Sequence, residues 1–270
     1  MSLTKKIQNH LHYLYYQFLV KTNGLIQSQR KNPLTIPILI INFNQLNYLK
    51  KLLDFLKERS FENIVIIDNL STYPPLLEYY KTLESPITIE YMKENYGHKV
   101  FFENKELQQK YGRGYYVITD ADILPNQNLP THFMKHLIEM LDLYFKRVTK
   151  VGFALDIEDI PDTYALKDKV ITWEKRFWIN PITQDRYLNW IDTTFALYKP
   201  LYPNNFNNFD FLDAIRIAGN YTSKHGGWYL NTNNLTDEQK YYFNTVNGSS
   251  SWRIDEQGNN NTSKYNNTTS

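Results

Sequence analysis

The stretch Tyr115-Tyr-Val-Ile-Thr-Asp-Ala-Asp122 decides the fold: an apolar run closes on two carboxylates two positions apart. A run that is apolar at successive positions, without alternation, is expected of a strand covered on both faces. Three similar runs lie upstream, Ile36-Pro-Ile-Leu-Ile-Ile41, Ile64-Val-Ile-Ile67 and Ile87–Tyr91, and another lies downstream at Val151–Leu155. Between them apolar residues recur at helical spacing, as in Leu46, Leu49, Leu52, Leu53 and Leu56. Pro74-Pro75 open a short helix, and further helices are expected over Val100–Lys110 and Leu129–Phe145. This alternation predicts an α/β chain with a mainly parallel central sheet.

Past residue 156 the pattern loosens. Asp168–Phe177 reads as a helix, Thr194–Tyr198 as a late strand and Asp210–Ala218 as a helix. At the other end, Lys5–Val20 reads as an amphipathic helix with Leu11, Leu14, Tyr15, Phe18 and Leu19 on one side. Its partner is the core or another chain, which makes it a contact for a homo-oligomer. Its polar face carries too little basic charge to favour a membrane-surface anchor. The expected organisation is a helical extension over 1–30, one domain over 31–247 and a disordered Asn/Ser/Thr-rich tail over 248–270.

Composition narrows the function classes. With 30 Lys and Arg against 28 Asp and Glu, the chain of 270 residues carries a net charge of +2. That balance does not suit a protein held on nucleic acid by a basic surface. The chain has no Cys, which removes disulfides, thiolate metal sites and a cysteine nucleophile. No apolar stretch approaches the roughly 20 residues that span a bilayer. A soluble, cytoplasmic protein is therefore the expectation.

In open α/β sheets, ligands bind beyond the carboxyl ends of the strands. Those ends here are Asn42-Phe-Asn44, Asp68-Asn69, Asn95-Tyr-Gly97-His98 and Asp120-Ala-Asp122, all polar. Asp120 and Asp122 leave the pleat together, and two carboxylates so close are costly unless a cation or a shared proton offsets them. Mg²⁺ or Mn²⁺ suits such oxygen donors and bridges to phosphate oxygens. The bare pattern also fits a solvated turn with Asp at a helix start.

These strand ends, taken in order, resemble the nucleotide-sugar half of a GT-A glycosyltransferase of the family 2-like kind. The resemblance continues through Val151-Gly-Phe153, Trp173-Glu174 with Phe177-Trp178, Asp192-Thr-Thr-Phe-Ala-Leu-Tyr198 and His225 with Trp228-Tyr229, covering about residues 34–230. It implies a Rossmann-like, three-layer α/β/α fold and transfer of a sugar from a UDP-sugar to a glycan or other hydroxyl acceptor. Asn42, Asn44, Asp68, Asn95, Gly97, His98 and Asp120 would then hold the nucleotide sugar. Asp120, Asp122 and His225 would hold Mn²⁺ or Mg²⁺ on the diphosphate. Gly226-Gly227 stands where the family has a bulkier pair. For an inverting transfer a carboxylate takes the acceptor proton, and Asp192 is the first candidate, ahead of Glu174 and Asp156. Trp173, Trp178, Trp190 and Trp228 are candidates to stack on sugar faces.

Three rivals share parts of this pattern. A haloacid-dehalogenase-type phosphatase carries D-x-D on its first strand, usually with Thr or Val two residues after the second Asp. Here the motif follows the fourth strand, and position 124 is Leu. A sugar-1-phosphate nucleotidyltransferase needs a Gly-rich loop where this chain has Asn42-Phe-Asn-Gln45. A non-catalytic glycan- or nucleotide-binding module on the same scaffold is the rival from another class; intact Asp120 and Asp122 argue against it, although fold alone does not fix function.

Overall fold

The computed structural model describes residues 3–179, 181–204, 210 and 212–246; the expected tail over 248–270 lies outside them. The chain begins with α1 (Leu3–Thr22) and α2 (Gly24–Lys31), followed by β1 (Ile38–Asn42), α3 (Asn47–Glu58), β2 (Ile64–Asp68), α4 (Pro74–Tyr80) and β3 (Ile87–Tyr91). Next come α5 (Val100–Glu103), α6 (Lys105–Tyr111), β4 (Tyr116–Asp120), β5 (Ile123–Pro125), α7 (Phe133–Tyr144) and β6 (Lys150–Leu155). The later part holds α8 (Lys167–Lys175), β7 (Pro181–Thr183), β8 (Arg186–Trp190), β9 (Ala196–Tyr198), β10 (Asp213–His225) and α9 (Asp237–Thr245).

Among the described residues the strands form one ten-stranded sheet in the order β3-β2-β1-β4-β9-β6-β10-β8-β7, with β5 pairing β10. The pairings β1–β2, β1–β4, β2–β3 and β6–β10 are parallel, while β9 runs antiparallel between β4 and β6. The expected α/β chain with a largely parallel, Rossmann-like central sheet is what forms. β1 and β2 are buried at every position, as are all but the last residue of β4. Each fully buried Ile, Leu or Val there contributes about 1.5–3 kcal/mol.

Several elements differ from the expectation. The helix predicted over Val100–Lys110 is two helices, broken where the Asn104 side chain accepts the N–H groups of Glu106 and Leu107 at 2.9 and 3.1 Å and so caps α6. The helix predicted from Leu129 starts at Phe133. The helix predicted over Asp210–Ala218 is instead the first half of β10. Ala214, Ile215, Arg216 and Ile217 there are all buried because β6 and β8 flank the strand.

The N-terminal helix forms, but turned from its expected face. Asn9, Tyr16 and Leu19 face inward, whereas Leu11, Leu14, Tyr15 and Phe18 are exposed. What decides the orientation is a polar cluster of the buried Tyr16 and Tyr115 with the half-buried Arg30 and Asp142. Arg30 grips Asp142 with two hydrogen bonds of 3.0 and 2.7 Å, and the Tyr16 hydroxyl meets both Asp142 and the Tyr115 hydroxyl. Gln29 pairs with both backbone groups of Tyr115, just before β4. α1 and α2 therefore close the amino-terminal end of the sheet, opposite the strand ends expected to bind ligand.

Candidate active site

A cavity of about 610 Å³ opens at the carboxyl ends of the central strands. One side is built by Asn69, Asn95, Gly97 and His98, the floor by Asp120 and Asp122, and the other side by Trp173, Trp190, Asp192 and Arg216. The loop after β3 is shaped by Asn95, whose side chain accepts the Gly97 N–H at 2.9 Å. Asn69 donates to the Gly97 carbonyl at 2.9 Å, which ties the loops after β2 and β3 together.

The carboxylate pair is fixed from three directions. The Asp120 N–H donates to the Thr193 carbonyl, and the Thr193 hydroxyl donates to Asp120 Oδ2 at 2.5 Å. The Ala121 N–H donates to Ile41, tying the turn to β1. Asp122 is 2% exposed, and its Oδ2 makes no hydrogen bond although His225 Nδ1 stands 3.5 Å away.

His225 reaches this point because β10 bends. The pairing of β10 with β6 shifts register between Ile217 and Thr222, where Gly219 takes φ +65, a backbone state that glycine adopts without steric cost. Beyond the bend β10 runs antiparallel to β5 with His225 opposite Ile123, which sets the imidazole beside Asp122. The Gly226 N–H then donates to the Asp122 carbonyl at 2.7 Å. A Cβ on Gly226 would lie 2.6 Å from the Tyr48 ring, so this Gly is needed for close approach. The departure at Gly226 thus has a physical reason. The His225 ring stacks on Trp228 at 4.9 Å, and Nδ1 accepts the Gly227 N–H at 3.2 Å.

Four of the candidate residues are committed elsewhere. Both oxygens of Asp68 are used inside the protein, one by the Tyr80 hydroxyl and the other by the Ser71 N–H, each at 2.9 Å. Burial beside that carboxylate pushes the Tyr80 phenol well above its usual range. Asn42 donates to the same Tyr80 hydroxyl at 2.8 Å. Asn44, at φ 52, accepts from the Thr72 and Tyr73 N–H groups and donates to Thr245. These three lie behind the cavity wall and outside its lining. Asp156, whose Oδ1 caps the Glu158 N–H at 2.9 Å, is also outside the lining.

Asp192 is exposed and lines the cavity, while Glu174 is 2% exposed and ion-paired with Arg216. Burial raises the Glu174 carboxyl, and the Arg216 charge opposes that rise. Trp173, Trp190 and Trp228 line the cavity. Trp178 lies outside it, packing edge-on to Tyr187 at 5.4 Å.

Sequence reasoning missed Arg216, hidden in a stretch read as helix. It also missed Tyr242 and Val246, which α9 brings to the cavity wall. The signal for α9 was present: Thr236 and Gln239 form a capping box. Lys150 was missed as well. Its buried ammonium donates to the Asp192 carbonyl at 2.7 Å and to the Tyr198 hydroxyl at 2.6 Å.

The carboxylate pair suits a divalent cation in its donor chemistry, and Asp122 Oδ2 is a buried acceptor that a cation would satisfy. Among the described residues, no group of three or more His, Asp or Glu side chains is disposed to hold a metal ion. The expected triad of Asp120, Asp122 and His225 is therefore not a closed protein cage.

No protein-family model matches the chain. No curated protein matches it either. Among solved structures, the chain is similar to the mannosyltransferase PcManGT from Pyrobaculum calidifontis in complex with GDP-Man and Mn²⁺. The two are 14% identical with a TM-score of 0.42, and the similarity covers 83% of this chain and 66% of that one.

Proposed function

We propose that this protein is a metal-dependent glycosyltransferase that moves a sugar from a nucleotide-diphosphate donor, a UDP-sugar, to a hydroxyl of a glycan or other acceptor. One observation carries the reading. Asp120, Asp122 and His225 share the floor of a single cavity, with amide-rich loops on one side and aromatic side chains beside Asp192 on the other. A donor needs the first side and an acceptor the second.

Asp120 and Asp122 would hold Mn²⁺ or Mg²⁺ as the protein's oxygen donors, with His225 standing beside Asp122. The cation supplies Lewis-acid stabilisation of the charge that develops on the leaving nucleotide. The protein's own residues do the rest. Thr193 orients Asp120, and the backbone link from Gly226 to Asp122 keeps the two sides in register. Asn69, Asn95, Gly97 and His98 receive the nucleotide, while Asp68, Asn42 and Asn44 act from behind by holding those loops. Trp190, half-exposed, offers a face for the acceptor sugar, while the Trp173 ring beside the cavity is covered by the Arg176 guanidinium. Asp192 takes the acceptor hydroxyl proton, as inversion requires. Glu174 is spent on Arg216, and Asp156 on its turn.

The test is a panel of UDP-, GDP- and dTDP-sugars with and without Mn²⁺ or Mg²⁺, read by thermal shift and by nucleotide release. The expected result is stabilisation by UDP-sugars that needs metal and is lost in Asp120→Asn and Asp122→Asn. Asp192→Asn keeps that stabilisation and loses transfer. Hydrolysis of a phosphomonoester with no nucleotide binding would instead establish a phosphatase. Glycan binding without metal dependence or turnover would establish a binding module.

A further inference from the structure

α1 carries two apolar faces, and only one of them meets the protein. At 100° per residue, Tyr16 and Asn9 lie on one side of the helix. Leu3, Ile7, Leu11, Leu14, Tyr15 and Phe18 fall within an arc of about 120° on the opposite side, and they are 42–74% exposed. The stripe runs for roughly 22 Å along the helix. Of the thirteen large hydrophobic residues exposed among the described residues, seven lie between Leu3 and Leu25. A soluble surface rarely gathers apolar side chains in this way without a partner.

The charge around the stripe identifies that partner. The first Asp or Glu of the whole chain is Asp54, while residues 3–31 carry Lys5, Lys6, Lys21, Arg30 and Lys31. Arg30 is taken by Asp142. Lys6 and Lys21 are exposed, Lys6 beside the stripe and Lys21 continuing it at the carboxyl end of α1, whereas Lys5 falls on the inward side with Asn9 and Tyr16 and feels Asp213. A second copy of the chain laid along this face would bring lysines against lysines with no carboxylate of α1 or α2 to offset them. An anionic lipid surface pairs with Lys6 and Lys21 and accepts the apolar stripe at once, with Tyr15 and Phe18 at headgroup depth. The weakly basic polar face speaks against an anchor in the sequence, and the exposed stripe on the folded helix reverses that expectation. We propose that α1 docks the protein on anionic membranes through this outward face.

The geometry adds a consequence. α1 closes the amino-terminal end of the sheet, so docking leaves the cavity at the opposite end facing away from the lipid. Membrane binding and nucleotide binding are then separable, and either can fail without the other.

The experiment is flotation of the full chain with vesicles of phosphatidylcholine alone and of phosphatidylcholine mixed with phosphatidylglycerol. Binding to the mixed vesicles only, weakening as salt is raised, is the expected result. Leu11→Ser combined with Phe18→Ser should abolish flotation, and Lys6→Gln and Lys21→Gln should each lower it about fivefold. Melting temperature and metal-dependent nucleotide binding should be unchanged in all of them, because these side chains point away from the core. The proposal is overturned by absence of flotation, or by flotation that survives both sets of changes. It is equally overturned if sedimentation equilibrium finds a dimer that Leu11→Asp dissociates while no vesicle binding occurs.

Discussion

Lys150 is a cation in a place that disfavours one. It is fully buried at the start of β6, and burial pushes its ammonium down to about 7, even though Asp192, Asp210, Asp120 and Asp213 pull the other way. Its two hydrogen bonds explain why it is tolerated: Nζ holds the backbone of Asp192, the proposed base, and the Tyr198 hydroxyl. The sign of its pH effect follows from proton counting. Between about 7 and the ordinary lysine value the unfolded chain binds the proton that the folded chain has lost. Stability therefore rises with pH across that window, by about 1.4 kcal/mol per unit for this one group. Urea unfolding in chelator at intervals through the window, compared with Lys150→Met, measures it. The wild type should gain on the variant as pH rises, and parallel curves would show that Lys150 stays charged when folded.

At the scale of elements, legibility followed burial. β1, β2 and β4 could be read because strands covered on both faces are written as continuous apolar runs. β10 could not, since its buried positions include Arg216 and its bend at Gly219 looks like a helix end. The outward turn of α1 was also invisible, because Arg30, Asp142 and Tyr115 fix it from distant parts of the sequence. Helix ends show the same division. Thr236 caps α9 locally, a feature a sequence displays, but α3 has Leu46 at its N-cap position, with no side-chain cap of its own. The missing acceptor comes from 192 residues away, where Glu238 Oε1 accepts the N–H groups of Leu46 and Asn47 at 2.9 and 3.0 Å. A carboxylate there satisfies orphan donors and meets the positive end of the helix dipole. Glu238→Ala should cost about 1 kcal/mol of unfolding free energy, and Glu238→Gln less, since an amide oxygen still accepts. Equal stability of all three proteins in denaturant titration would remove Glu238 from the cap.

The whole molecule joins its proposed donor and acceptor sides through one sheet. β9, three residues long, lies between β4 of the early half and β6 of the later half, antiparallel to both. The candidate site is divided in the same way. Asp120 and Asp122 were readable because they end a buried strand. Their meeting with His225 depends on a register across about a hundred residues, which no local pattern records. A sheet stitched in this manner should unfold in one transition, with calorimetric and van't Hoff enthalpies equal. A nucleotide sugar spanning the cavity, at a hundred times its Kd, should then stabilise the entire fold by about 2.7 kcal/mol and move the single transition upward by several degrees. Scanning calorimetry with and without donor and metal decides it. Two transitions, only one of which moves with ligand, would mean that the halves unfold separately and that β9 does not couple them.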